Sequence, residues 1–309
     1  MFTRRTGALF AVSALLFGGT FVAAKAGLEH LPPLLFVAIR FDIGAVVLAA
    51  YAATRMSKAE LRPRTTGDVV GILATGLLVV GLTNALLFVG QQYTTSGVAA
   101  VIFSLNPILT PIFAAVLLTD ERLSVRGSAG LVLGLLGVGI VANPDPAALV
   151  GGGLGVPILF AGAATSALGA VVIRRAGATI SSTARTVWGV PLAAGLSHAL
   201  SAAAGESVSA VSVTPVAVAA LLYVGVFSGA VAYLTYFALV DEAGATRANL
   251  LFYFVPVVAA VAGWALLGET LPAASLVGFA VIFTGFVLVS GPPIGLSKAV
   301  RDRIGVPRS

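Results

Sequence analysis

Leu105-Asn106-Pro107-Ile108-Leu109-Thr110-Pro111 runs on to Glu121-Arg122-Leu123, and the pattern returns as Phe254-Val255-Pro256-Val257-Val258 running on to Glu269-Thr270-Leu271. Pro107 and Pro256 are 149 residues apart and the two glutamates 148, so one residue is gained or lost between the copies. The same offset of 149 places Lys25 on Arg174, Asn84 on Tyr233 and Phe88 on Phe237. Self-similarity at so long a period marks a duplicated unit.

Around these segments the chain is overwhelmingly apolar. Of its 309 residues 58% are hydrophobic and only 10% charged, with a mean hydropathy of +1.04. A soluble domain carries about 25% charged residues, so this composition cannot clothe a water-soluble surface. A bilayer span takes roughly 20 mostly apolar residues. Ten stretches qualify, at 7–24, 34–54, 69–90, 97–119, 127–142, 154–173, 183–203, 216–239, 245–267 and 273–290. Arg4-Arg5 before the first stretch, with Ala24-Lys25-Ala26 after it, has the outline of a signal peptide. The run of similar stretches that follows makes it the first span instead.

Lys and Arg accumulate on the cytoplasmic side of membrane proteins. With the amino terminus inside, 16 of the 18 basic residues fall in cytoplasmic segments, leaving Lys25 outside and Arg40 within the second span. Ten spans with both termini cytoplasmic is the reading that keeps this alternation. It makes the chain an all-α integral membrane protein with two five-helix repeats, 1–142 and 153–291, joined by an external linker at 143–152 and followed by a basic tail at 292–309. Because five is odd, the repeats insert upside down relative to each other. Inverted repeats recur in secondary transporters, which bind substrate near the midplane between the halves. Two such halves give two states of similar energy, one open to each side, interchanged as one repeat rocks against the other.

Several other classes are excluded. The chain has no cysteine, and His30 and His198 stand apart with no ligand spacing, so no metal site is expected. No Gly-x-x-x-x-Gly-Lys-Ser/Thr occurs to bind ATP, and no cofactor is implied. The net charge of +6 is accounted for by membrane sidedness and does not call for nucleic acid. An intramembrane enzyme would need paired carboxylates, a His-rich metal set or an activated Ser or Cys. A retinal-type receptor would need a mid-span lysine, whereas Lys25, Lys58 and Lys298 lie at ends, loops or the tail. The expected partners are the bilayer and a small-molecule substrate.

Gly18-Gly19-Thr20-Phe21, Pro32-Pro33 with Ile39-Arg40-Phe41, Tyr93-Thr94-Thr95-Ser96-Gly97 and the paired Pro…Glu-x-Leu segments follow one another along the chain. In these motifs and their order the chain resembles the EamA-type permeases of the drug/metabolite transporter superfamily. The resemblance covers nearly the whole chain. It implies a ten-span permease of the cell membrane that exports or facilitates passage of amino acids, other metabolites or toxic compounds. The chain departs from the pattern in its first span, where Phe17 precedes the glycines and no tryptophan is present.

Charge inside a bilayer is costly and marks function by default. Arg40 and Asp42 lie in the second span, two residues apart and so about 200° apart around the helix. Arg40 reads either as an anchor for a substrate carboxylate or as a snorkelling or structural residue. Asp42, the deepest carboxylate, reads as a proton-coupling site or as half of a cross-helix pair. Asn249, Tyr253 and Pro256 share one face of the ninth span, and Asn106 and Thr110 one face of the fourth. Pro107, Pro111 and Pro256 are expected to break their helices, which a membrane tolerates where protein or a wet cavity covers the backbone. Asn84 and Tyr233 add polar surface from the third and eighth spans, with Tyr236 nearby. Gly127, Gly130, Gly134 and Gly137 form a stripe that admits a second helix, from this chain or from a homodimer partner. Glu121 and Glu269 are expected as solvated helix ends, and Trp188 and Trp264 as interface anchors or packing residues.

Overall fold

The computed structural model describes residues 4–118, 125–142, 153–243, 251–270 and 272–290. Among them every regular element is helical: α1 (Arg4–Leu28), α2 (Pro33–Arg55), the short α3 (Lys58–Leu61), α4 (Thr66–Gln91), α5 (Ser96–Phe103), α6 (Asn106–Leu117) and α7 (Val125–Ala142). Then come α8 (Gly155–Arg175), α9 (Ser182–Ala203), α10 (215–243), α11 (Leu251–Leu267) and α12 (Ala273–Ser290). Of these, α1, α2, α4, the α5–α6 pair and α8 are each long and apolar enough to cross a membrane. The chain is a multi-pass membrane protein.

Neither α4 nor α10 is a simple α-helix. A π-helical stretch occupies Ala74–Leu82 in α4 and Tyr223–Val231 in α10. Both ends of these stretches are 149 residues apart, so the duplication extends to an irregularity of the backbone. In α4 the Thr83 hydroxyl donates 2.8 Å to the carbonyl of Leu78, five residues back. Such π turns are uncommon and concentrate at functional sites.

The span expected over 97–119 is broken. Helix α5 ends at Phe103 and α6 restarts at Asn106, with Pro107 in its first turn. A proline there has no N–H to give and its ring crowds the carbonyl four residues back, so the ladder stops before it. The breaks expected at Pro111 and Pro256 do not occur: both stand inside helices that continue past them. Each leaves one rung of its ladder open without ending the helix.

The halves are interleaved. Helix α1 packs on α10 and α11, while its counterpart α8 packs on α4, α5 and α6; α2 packs on α9, and α7 on α12. Along α1 and α10 the contacts follow one antiparallel register. Thr6 donates 3.1 Å to Glu242, Ser13 donates 3.0 Å to Thr235, and Thr20 bonds Ser228. Seven residues separate successive pairs, and in each the two numbers add to 248.

The equivalent seam between α8 and α4, extended into the turn that follows α4, keeps that register with opposite chemistry. A β-carbon on Gly155, Gly162 or Gly169 would come within 2.9, 3.3 and 2.6 Å of Tyr93 Cβ, Leu86 Cβ and Val79 Cγ2. These numbers also add to 248, because moving 149 forward on one helix and 149 back on the other leaves the sum unchanged. One seam is therefore a ladder of hydroxyls and a carboxylate, and the other a set of large side chains seated on glycines.

The glycine stripe of α7 meets α12 of the same chain. A β-carbon on Gly137 would lie 2.5 Å from Ile282 Cγ1, and one on Gly285 would lie 2.6 Å from the Gly130 carbonyl. The close approach that small residues permit is thus taken up within one molecule.

Candidate functional site

Arg40 and Asp42 are separated by the curvature of α2, and the protein treats them oppositely. Arg40 is 3% exposed. Its guanidinium carbon lies 4.6 Å from the ring centre of Phe41 and 5.2 Å from that of Phe88 on α4. A guanidinium over an aromatic face is attracted by the ring quadrupole, more so where water is excluded. Phe88 is in turn held edge-on against Phe36, with centroids 5.0 Å apart. The snorkelling reading of Arg40 is therefore corrected: its side chain points into the bundle. Its own carbonyl faces Gly225 in the π stretch of α10, so α2, α4 and α10 converge here.

Asp42 points outward and accepts a hydrogen bond from His198 Nε2 of α9 at 2.8 Å, both side chains about half exposed. His198 is thus not isolated, as its place in the sequence implied. A cross-helix partner 156 residues away leaves no local pattern. The pair joins α2 of one half to α9 of the other.

The remaining expected residues divide between helices. Asn84, one turn before Phe88, is buried and spends an amide N–H on the Val80 carbonyl at 2.6 Å. Thr110 donates to the carbonyl of Asn106 at 2.8 Å and lies 3.3 Å from its side-chain oxygen; both are on α6, which packs on α7 and α8. Asn249 and Glu121 lie outside the described residues, as do the side chains of Pro107, Tyr233 and Tyr253. The structure brings Arg40 to Phe88, one helical turn from Asn84. It places Asn106 and Thr110 on a different helix pair.

A second aromatic group was only half legible. Phe17 of α1, Tyr236 of α10 and Phe252 of α11 have centroids 5.9 to 6.5 Å apart, all partly exposed. Tyr236 stands out in the sequence as a polar aromatic; Phe252 carries no signal among 17 phenylalanines.

The motifs themselves are packing and capping devices. A β-carbon on Gly18 would lie 2.5 Å from Val258 Cβ, and one on Gly19 2.1 Å from Tyr223 Oη. That hydroxyl donates to the Leu15 or Leu16 carbonyl, 3.2 and 3.3 Å away. After Pro32-Pro33, the free N–H groups of Leu34 and Leu35 donate 3.0 and 2.7 Å to Glu206. A carboxylate at a helix amino terminus satisfies orphan donors and the helix dipole together. Glu269, expected in water, does the same for α5: both its oxygens lie 3.0 Å from the Ser96 N–H.

Two copies of the EamA-like transporter family model match this chain, at residues 5–143 and 153–291. The chain belongs to the EamA-like transporter family. It is 30% identical over 292 residues to the uncharacterized transporter YvbV of Bacillus subtilis, covering 93% of this chain and 92% of that one. It is also 30% identical to the uncharacterized inner membrane transporter YedA of Escherichia coli K12, covering 92% and 90%. A solved crystal structure at 23% identity superposes with a TM-score of 0.59 over 97% of this chain, and shares its fold. This EamA-like chain is a membrane transporter.

Proposed function

We propose that the protein is a secondary transporter of the cell membrane that exports a small organic metabolite, or facilitates its passage, by alternating access and without chemical conversion. Amino acids and toxic compounds are the substrate classes that fit. On this reading ten spans form two inverted five-helix repeats with both termini cytoplasmic. Arg40 anchors a substrate carboxylate. Asn84, Asn106, Thr110, Tyr233, Asn249 and Tyr253 line the path, and Asp42 with His198 carries any coupled proton. A homodimer, where one forms, uses the outward ridge Val132, Leu135 and Leu136 of α7, since the glycines beside it are occupied by α12.

The observation that carries this proposal is the pair of seams in one register, α1 on α10 and α8 on α4. Two halves that repeat each other's packing supply two related arrangements of one structure, which alternating access requires. Because the halves interleave, the bodies that move draw helices from both, and rocking of one intact repeat against the other is replaced by motion along these seams.

The chain's lack of cysteine makes the test direct. Ser13→Cys with Thr235→Cys places two thiols where hydroxyls now stand 3.0 Å apart. Oxidation should stop solute flux in proteoliposomes, and reduction should restore it. Full flux through the cross-linked protein would refute motion at this seam; no flux of any amino acid, organic acid, sugar, nucleoside or cationic dye by the uncross-linked protein would refute transport.

A further inference from the structure

At the end of the bundle where α2 finishes and α9 begins, segments from both halves build a small, rigid cap. Ile72, Ile180 and Ala184 form a separate apolar cluster with Met56 and Leu61 packed against it. Asp68 of α4 ties the cap together: it accepts from the Arg64 and Thr65 N–H groups at 2.9 and 3.1 Å, and from those of Thr179 and Ile180 at 2.7 and 2.8 Å. Trp188, about 9 Å along α9 from its start, donates its indole N–H to the Leu61 carbonyl at 2.8 Å while half its surface stays exposed. Tryptophan in this posture sits at the level of lipid headgroups, so the loop folded onto it lies there too.

A cleft of about 400 Å³ opens between the two segments, lined by Arg62, Arg64, Thr179 and Ser181 among others, beside a second hollow of about 440 Å³ walled by the same arginines. Two carboxylates also line it, but both are engaged. Asp68 is saturated by the four N–H groups above. Glu60 closes a capping box with Ser57, accepting from its N–H at 2.8 Å and its hydroxyl at 2.7 Å. The arginines are not engaged in this way. Arg64 makes one long bond, 3.3 Å, to the Ala59 carbonyl, and among the described residues nothing holds the Arg62 guanidinium.

We infer that this cleft seats the phosphate of an anionic phospholipid from the adjoining leaflet. Two guanidiniums offer forked donors to phosphate oxygens, the Thr179 and Ser181 hydroxyls add polar contacts, and Trp188 packs beside the glycerol backbone. Basic pockets between membrane helices take such headgroups. Because the cleft is built from both halves, the lipid also holds this end closed; that consequence rests on the alternating-access reading, whereas the binding does not.

Thermal unfolding of the detergent-purified protein tests it. Added dioleoylphosphatidylglycerol should raise the midpoint where dioleoylphosphatidylcholine does not, and the shift should shrink steeply between 0.05 and 0.5 M salt, roughly the range over which the screening length falls from above to well below 10 Å. Arg62→Gln with Arg64→Gln should weaken the phosphatidylglycerol response about thirtyfold, at about fivefold for each arginine beside an anionic headgroup. Arg174→Gln with Arg175→Gln, which removes equal charge from the same end outside the cleft, should leave it within about twofold. An equal loss in both double variants would overturn the site in favour of diffuse attraction. A wild-type shift reproduced by 10 mM inorganic phosphate would overturn the lipid as its source. If the Arg62/Arg64 variant does not fold, a wild-type response indifferent to salt would overturn the inference by itself.

Discussion

Gly169→Ala puts a methyl group into the glycine seam, and its cost can be worked from the contacts. The new β-carbon would meet Val79 Cγ2 at 2.6 Å, Leu78 Cβ at 3.0 Å and the Val79 backbone nitrogen at 3.2 Å. Two of these atoms cannot swing aside, so the overpacking cost belongs near the top of its usual range, about 3 kcal/mol. Alanine returns about 1 kcal/mol of helix propensity over glycine. The net loss is about 2 kcal/mol, roughly thirtyfold in the folded ratio, and a fall of about 4 °C in the unfolding midpoint of a chain this size. Ser13→Ala in the polar seam removes one hydroxyl bond, worth about 0.6 kcal/mol between membrane helices, or about 1 °C. The assay is thermal unfolding in detergent, run as a double-mutant cycle with Val79→Ala. That second change removes the closest contact, so Gly169→Ala should cost at least 1 °C less in its presence, roughly half a kcal/mol of coupling. A Gly169→Ala protein as stable as wild type, or one not relieved by Val79→Ala, would refute the seated-glycine account of this seam.

Three further outcomes follow from the geometry. Arg40→Ala should raise the KM for an anionic or zwitterionic substrate tenfold or more, in line with about 1.5–3 kcal/mol for a charge-assisted bond, with protein still in the membrane; Arg40→Lys should recover little, since an ammonium cannot lie flat on Phe41 and Phe88, and equal transport by all three would remove Arg40 from the site. Asp42→Asn and His198→Gln should each flatten the pH profile of flux if their contact holds the coupled proton, and a profile kept in either variant makes the contact a structural tie between α2 and α9. The Ser57 N–H, and then its hydroxyl, hold the Glu60 carboxyl below its ordinary value; the capping box is therefore fully formed above the ordinary glutamate range and lost as pH falls through the lowered value, which amide exchange at Ser57 and Glu60 will report, and protection unchanged into strong acid would contradict it.

The resemblance motifs could be recognised in the sequence, but not what they do. Gly18-Gly19 reads as a signature, and in the structure it is a notch for Val258 and Tyr223. Pro32-Pro33 opens α2, while the carboxylate that satisfies the exposed N–H groups, Glu206, comes from 172 residues away. Proline was a sound guide where it starts a helix, at Pro107, and a poor one inside α6 and α11, which continue past it. The candidate site was legible as a set of polar and charged residues within apolar spans. Which of them meet was not, because residues two apart on a helix face opposite ways and only packing assigns the faces.

Composition alone made this a multi-pass membrane protein, since 10% charge cannot cover a soluble surface, and the 149-residue offset alone revealed two copies of one unit. Tertiary structure decided what periodicity cannot carry. It buried Arg40 against aromatic rings, turned Asp42 outward to His198, gave the stripe of α7 to α12, and set hydroxyls along one seam and glycines along its twin. Covalent neighbours determine which residues a helix contains and their order around it. The partner on the far side of each face is supplied by a segment distant in the chain, Phe88 for Arg40 and His198 for Asp42, and its identity exists only once the helices have packed.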